Sequence, residues 1–134
     1  MFAVSADSLI ITFTERPFSV GDYSIAGTAL INDKTIVILV TEKLQTRTLY
    51  SITIQNVADC NGNLMEPATF TFAVAEPATR NDIIINEVLF NPRPMESDFV
   101  ELYNRCDKYI NLKNWKLSGE TITTTNDVVA PRQF

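Results

Sequence analysis

The 134-residue chain contains no histidine. That excludes Ser-His-Asp and Cys-His nucleophile pairs, His-ligated metal centres and any imidazole acid-base step. Only two cysteines occur, Cys60 and Cys106, 46 positions apart and without CxxC spacing. Such a pair is not a metal site. Both are expected as small, partly buried side chains, with a disulfide between them as the alternative. Positive charge is scarce: 11 Lys plus Arg stand against 16 Asp plus Glu, for a net charge of -5. A basic nucleic-acid-binding surface is therefore disfavoured overall, and only a local patch stays open. The longest near-apolar run, Thr35 to Val40, is far too short to span a membrane. No basic segment followed by an apolar stretch opens the chain, so no signal peptide is legible. Either the protein is intracellular, or the chain is an interior piece and Met1 is not the native start. No apolar stripe at helical spacing runs beyond about two turns, and no heptad repeat is present.

What the chain has instead is β-branched residues. Thr, Ile and Val make up 38 of the 134 positions, a weight that predicts an all-β fold. Turn signals recur between strand-like runs. Strands are expected at Leu9–Thr14, Tyr23–Ala26, Thr28–Ile31, Thr35–Thr41, Leu49–Gln55 and Thr69–Val74. Within these, Tyr50, Ile52 and Ile54 alternate onto one face, as do Phe70, Phe72 and Val74. Asn32-Asp33-Lys34 and Asp59-Cys60-Asn61-Gly62-Asn63 read as turns. The tract Glu76-Pro77-Ala78-Thr79 breaks the pattern, because proline removes a ladder donor and forces its predecessor into extended geometry. A boundary is expected there, with one domain over 1–76, a linker over 77–81 and a second domain over 82–134. The second half restarts with Asp82–Phe90 and Asp98–Asn104. Ile110–Leu112 and Trp115–Leu117 follow, then a turn at Gly119-Glu120 and a last polar strand over Thr121–Thr125.

Two motif sets point to families. Ile11-Thr12-Phe13-Thr14-Glu15 with Asp22-Tyr23-Ser24-Ile25, Leu44 with Tyr50-Ser51-Ile52-Thr53-Ile54, and Val57-Ala58-Asp59-Cys60-Asn61-Gly62-Asn63 leading to Phe70-Thr71-Phe72 resemble a bacterial Ig-like domain of the S-layer type over about residues 5–75. That resemblance implies one further strand before the one that opens at Leu9, so the domain over 1–76 is expected to lack its first strand. Ile85-Asn86-Glu87-Val88, Phe99-Val100-Glu101-Leu102-Tyr103-Asn104 and Ile110-Asn111-Leu112-Lys113-Asn114-Trp115-Lys116-Leu117 resemble the lamin-tail domain. The fold expected is an Ig-like β-sandwich followed by a second, incomplete Ig-like sandwich, since such a sandwich takes roughly 100 residues. Ala130–Phe134 reads as the approach to a further core strand, and the chain reads as a piece of a longer protein.

Several polar groups are candidates for chemistry. Asp59, Asn61 and Asn63 alternate like the start of a calcium loop, yet Leu64 and Phe70 stand where such a loop needs Gly and Glu. The competing reading is a turn whose Asx side chains bond their own backbone. Glu87, Glu96, Asp98 and Glu101 form an acidic set that could bind a hard cation, or else accept backbone N–H bonds or pair with Arg93 or Arg105. Tyr50 is expected as a tyrosine corner. Trp115 is read as a core residue, against a carbohydrate-stacking platform. Arg105, Lys108, Lys113 and Lys116 make the one local basic stretch, read as a solvated face against a phosphate contact.

No catalytic constellation and no cofactor site emerge. The expectation is a non-catalytic pair of modules in a larger bacterial secreted or cell-surface protein, serving as spacer and tether. The alternative is an accessory region of a secreted hydrolase, a nuclease or phosphoesterase, with its catalytic domain outside this chain. The partners implied are neighbouring domains of the same polypeptide and a cell-surface protein or polysaccharide. Nucleic acid is disfavoured, and no transmembrane segment is present.

Overall fold

A computed structural model describes residues 2–91, 95 and 97–134. Among them every regular element is a strand, as the β-branched composition predicts. No helix is long and apolar enough to cross a membrane among these residues. The chain divides into two compact units, Met1–Val74 and Ala75–Phe134.

In the first unit the strands are β1 (Phe2–Val4), β2 (Ser8–Thr12), β3 (Asp22–Tyr23), β4 (Gly27–Asn32), β5 (Thr35–Val40), β6 (Tyr50–Gln55) and β7 (Ala68–Phe72). They form two antiparallel sheets, ordered β1-β2-β5-β4 and β3-β6-β7. One apolar core joins them. Alternation sends Leu9 and Ile11 of β2 inward, directly opposite Ile38 and Ile36 of β5. From the other sheet come Ile52 and Ile54 of β6 and Phe72 of β7, with Leu44, Val57 and Val74 closing the cluster. Phe72 and Val74 are buried as their alternation predicts, whereas Phe70 stays exposed.

The turn at 32–34 is a two-residue hairpin loop, Asp33-Lys34, with Asp33 at φ 50°. The Thr35 hydroxyl donates to the Asn32 carbonyl over 2.6 Å and fixes it. Tyr50 is the expected corner: its Oη accepts from the Gln45 N–H at 2.8 Å, five residues upstream. Two expectations change here. The strand read as Tyr23–Ala26 is only Asp22–Tyr23. A strand, β1, also precedes β2, pairing Val4 with Leu9.

The second unit contains β8 (Ile83–Leu89), β9 (Phe99–Asn104), β10 (Ile110–Asn111), β11 (Lys116–Leu117), β12 (Glu120–Thr121) and β13 (Val128–Val129). They pair antiparallel as β8-β9, β10-β13 and β11-β12. A bulge between Ile85 and Glu87 inserts Asn86 into β8. The extra residue shifts the side-chain phase, so Ile83, Ile85 and then Val88 lie opposite Asn104, Leu102 and Val100 on one face. Without it Glu87 would take the place of Val88.

The β11–β12 turn is Ser118-Gly119, at φ 51° and 94°, one residue earlier than expected. The polar strand expected over Thr121–Thr125 stops at Thr121. The Thr123 and Thr125 hydroxyls bond Asp127 instead, and such local side-chain bonds compete with a ladder. The tract read as a linker over 77–81 carries hydrogen bonds within this unit: the Thr79 carbonyl accepts from the Asp82 N–H at 3.1 Å, and the Thr79 hydroxyl oxygen lies 3.3 Å from Lys108 Nζ. Glu76, read as the end of the first domain, also belongs here, its N–H donating to the Tyr109 carbonyl at 2.8 Å.

Glycine position decides one feature of the first unit. Gly21 sits at φ 63°, and a Cβ there would lie 2.3 Å from the Gln55 carbonyl oxygen. Gly62 has φ 84° but nothing within 4 Å. Gly21→Ala is therefore expected to cost about 3 kcal/mol, strain plus overlap, and Gly62→Ala about 1 kcal/mol. Urea denaturation of both variants checks the difference, and equal costs would refute the close-approach account.

Candidate functional site

The densest polar constellation lies at the end of β9. Asn104 is the one buried polar residue among those described, 0% exposed. It ends the Phe-Val-Glu-Leu-x-Asn tract, and β9 sets it on the same face as Leu102 and Val100, at the buried end of the strand. Its Nδ2 donates to the Lys108, Ala130 and Val129 carbonyls at 2.7, 3.0 and 3.2 Å. Its Oδ1 accepts from the Cys106 N–H and the Cys106 thiol, both at 3.1 Å. One carboxamide thus gathers the turn after β9 and the chain leaving β13. Both its hydrogens and its oxygen are used, which removes the penalty of burying an amide.

Beside it, Lys108 and Asp82 form an ion pair at 2.8 Å, with side chains only 19% and 13% exposed. Asp82 Oδ2 also accepts from the Thr79 N–H and hydroxyl at 2.7 and 2.9 Å. The Lys108 hydrogen bond first, then the Thr79 amide, hold the Asp82 carboxyl down at about 2, against an ordinary 3.8. The same bond pushes the Lys108 ammonium up. Asp127 is likewise lowered, by the Thr123 and then the Thr125 hydroxyl.

The calcium-like turn holds itself together. Asp59 Oδ1 accepts from the Asn61 and Asn63 amides at 2.8 and 2.9 Å, and Oδ2 from the Asn63 side chain at 2.7 Å. Those bonds, the Asn63 side chain foremost, lower the Asp59 carboxyl. This is the Asx-turn geometry, with both carboxylate oxygens turned toward the loop's own donors.

Glu87 and Glu101 are brought together as direct cross-strand partners. That places two like charges opposite each other, an unfavourable pairing. The bulged Asn86 donates Nδ2 to Glu101 Oε1 at 2.6 Å and relieves it. Asp98 is exposed just ahead of β9. Glu96 and Arg93 lie outside the described residues. No group of three or more acidic or thiol side chains able to hold a metal ion occurs among the described residues.

The basic stretch does not form one patch. Lys108 turns away into its ion pair, while Arg105, Lys113 and Lys116 stay exposed. Trp115 is half-buried next to buried Leu112. Both cysteines are free, and Cys60 is exposed at its turn instead of partly buried. An open apolar groove of about 510 Å³ runs past Val88, Phe99, Val100, Leu117 and Ile122. A smaller pocket of about 350 Å³ in the first unit lies among Phe13, Pro17, Val57, Leu64 and Met65. Chemically, Asn104, Asp82, Lys108, Asp59 and Asp127 accept and donate within the fold, and among the described residues none of these is paired as nucleophile and base.

Sequence reasoning missed Asn104, the Asp82–Lys108 pair and Asp127. Asn104 closes a tract that was recognised, and its place at a strand end before Arg105-Cys106-Asp107-Lys108 was the available signal. The Thr79-x-x-Asp82 spacing was a second, since it suits a reciprocal turn.

Asn104→Leu, close in volume, would remove the Nδ2 donor from the Lys108, Val129 and Ala130 carbonyls and the Oδ1 acceptor from the Cys106 amide, for an expected loss of about 3 kcal/mol. Trp115 is the sole tryptophan, so its fluorescence during urea denaturation reads the second unit alone; a loss below about 1 kcal/mol would refute the role of this amide. The ion pair sets a pH dependence. Asp82 is lowered on folding, so its contribution is complete above about pH 4 and drains away as pH falls toward about 2. Lys108 is raised, so its contribution persists until pH passes above 10.5. Asp82→Asn is expected to lower stability at pH 7 and flatten the acid limb followed at Trp115. Some slope should remain from Asp127, and an unchanged limb would refute the assignment.

The lamin tail domain family model matches residues 76–134. That family is Ig-like and non-catalytic. No curated protein and no solved structure matches the chain. The family match lies within the second unit, where the Asn104 constellation sits.

Proposed function

We propose that the chain is a non-catalytic pair of Ig-like modules of a larger bacterial secreted or cell-surface protein, acting as spacer and tether. The observation that carries this reading is the succession of two compact all-β units along one chain. The second of them turns its most perturbed polar groups on itself. Side chains committed to internal bonds give rigidity and leave little for chemistry. Antiparallel sandwiches suit tethering because load on the chain must break several ladder bonds together. The first unit's resemblance to bacterial Ig-like domains of the S-layer type supports a place at the cell surface. Its partners are then the neighbouring domains of the same polypeptide and a surface protein or polysaccharide.

Two readouts test this. An antibody raised against the first unit should label intact cells of the source organism, and labelling only after lysis would overturn the surface assignment. Single-molecule extension between the chain ends should show two separate unfolding steps. With 74 and 60 residues, the released lengths are about 250 and about 200 Å. One merged step at negligible force would overturn the spacer role.

A further inference from the structure

Eleven asparagines occur in the chain, and one of them, Asn61, is followed by glycine. The other ten precede bulky, branched or charged residues or proline. The difference matters because an asparagine carboxamide lies within reach of the next residue's main-chain nitrogen. A side chain on that next residue crowds the approach, and glycine has none. The surroundings are open too, since a Cβ placed on Gly62 would meet nothing within 4 Å.

Several other carboxamides are tied down. Asn56, Asn63 and Asn86 each give Nδ2 to a carboxylate, of Asp22, Asp59 and Glu101, at 2.7, 2.7 and 2.6 Å. Asn61 is exposed, and among the described residues no hydrogen bond holds its side chain. Its main-chain N–H donates to Asp59 Oδ1 at 2.8 Å. The Gly62 N–H makes a longer bond, 3.2 Å, to the Asp59 carbonyl.

We propose that Asn61-Gly62 is a site of spontaneous covalent modification, where the carboxamide becomes isoaspartate or aspartate and the isoaspartate opens the turn that Asp59 closes. Hydroxide takes the Gly62 N–H proton, and the freed nitrogen bonds to Asn61 Cγ. The Cγ–Nδ2 bond breaks, and Nδ2 leaves as ammonia with a proton from water. The product is a cyclic imide. Water then adds to either imide carbonyl and breaks its bond to the Gly62 nitrogen. Opening at Cγ gives aspartate. Opening at the main-chain carbonyl gives isoaspartate, with the chain running through Cβ and Cγ. Water is consumed, ammonia is released, and nothing is oxidised or reduced.

Isoaspartate lengthens the main chain by one atom inside the turn. The Asp59 N–H bond to the Asn63 carbonyl, at 3.0 Å, and the Asn63 N–H bond to Asp59 Oδ1, at 2.9 Å, both close across that point. Aspartate adds the same charge without the length.

The test incubates the full chain at mildly alkaline pH and follows the tryptic peptide Thr48–Arg80 by mass spectrometry, with isoaspartate counted by an isoaspartyl methyltransferase. Asn61 is expected to convert about 10-fold or more faster than Asn56 and Asn63 in the same peptide, and Gly62→Ala to slow it about 10-fold. Equal conversion of the three asparagines would overturn the proposal. So would an Asn61 that stays an amide in the folded chain while a synthetic peptide of residues 57–65 converts. In the isoaspartyl fraction the Asn63 amide is expected to exchange about 10-fold faster by NMR, against a change within about 2-fold in Asn61→Asp. Equal acceleration in both, or acceleration in neither, would overturn the opening of the turn.

Discussion

The second unit hangs on one buried carboxamide. Burying an amide without partners costs several kcal/mol, so Asn104 is tolerable only where all its partners arrive together. They come from the turn after β9, through the Lys108 carbonyl and Cys106, and from the chain after β13, through Val129 and Ala130. Apolar contacts would accept many arrangements of these segments; five directional bonds to one side chain accept very few. The β10–β13 pairing and the exit of the chain toward Gln133 are both placed by this requirement.

The two units reach order by different routes. In the first, Leu9, Ile36, Ile38, Ile52 and Ile54 are almost wholly buried, and non-directional apolar burial supplies the driving force. In the second, Ile110 and Leu112 are the buried hydrophobics among the described residues after Ala75. A unit of that size with so small a core relies on polar specification. The Asn104 bonds, the Asp82–Lys108 pair and the Thr123–Thr125–Asp127 set supply it. The same commitment limits chemistry, since a carboxylate held by hydroxyl and amide donors makes a poor general base.

The legible and the illegible parts of the fold divide along the range of the interactions. Alternation over Tyr50–Ile54 and Thr35–Val40 revealed strands and their buried faces, because period two is written locally. Asp59-x-Asn61-Gly62-Asn63 revealed its turn for the same reason. Asp82 with Lys108, and Asn104 with Val129, are pairings across 26 and 25 residues, and no local pattern encodes them. β13 escaped because two valines beside a threonine run look no more like a strand than the threonines do. Tertiary pairing with Ile110 and Asn111 made the choice. In the basic stretch, Arg105, Lys113 and Lys116 are exposed as a solvated face would be, and Lys108 departs from it for a related reason, since closeness in sequence says nothing of a lysine recruited by a distant carboxylate.

The bulge at Asn86 joins these strands of argument. A strict alternation through Ile83-Ile84-Ile85-Asn86-Glu87-Val88-Leu89 would put Glu87 on the face that holds Asn104. One extra residue exchanges Glu87 for Val88 on that face and sets Glu87 beside Glu101 on the other. The apolar face is thereby extended at the cost of a like-charge pair, which the bulged residue's own amide then offsets through Glu101. The same bulge disturbs the outer edge of β8. What remains regular is β9, flat in phase from Phe99 to Asn104. The strand that carries the buried amide is therefore the unbulged one, and the extra residue in its neighbour decides only which side chains share the face beyond Leu102.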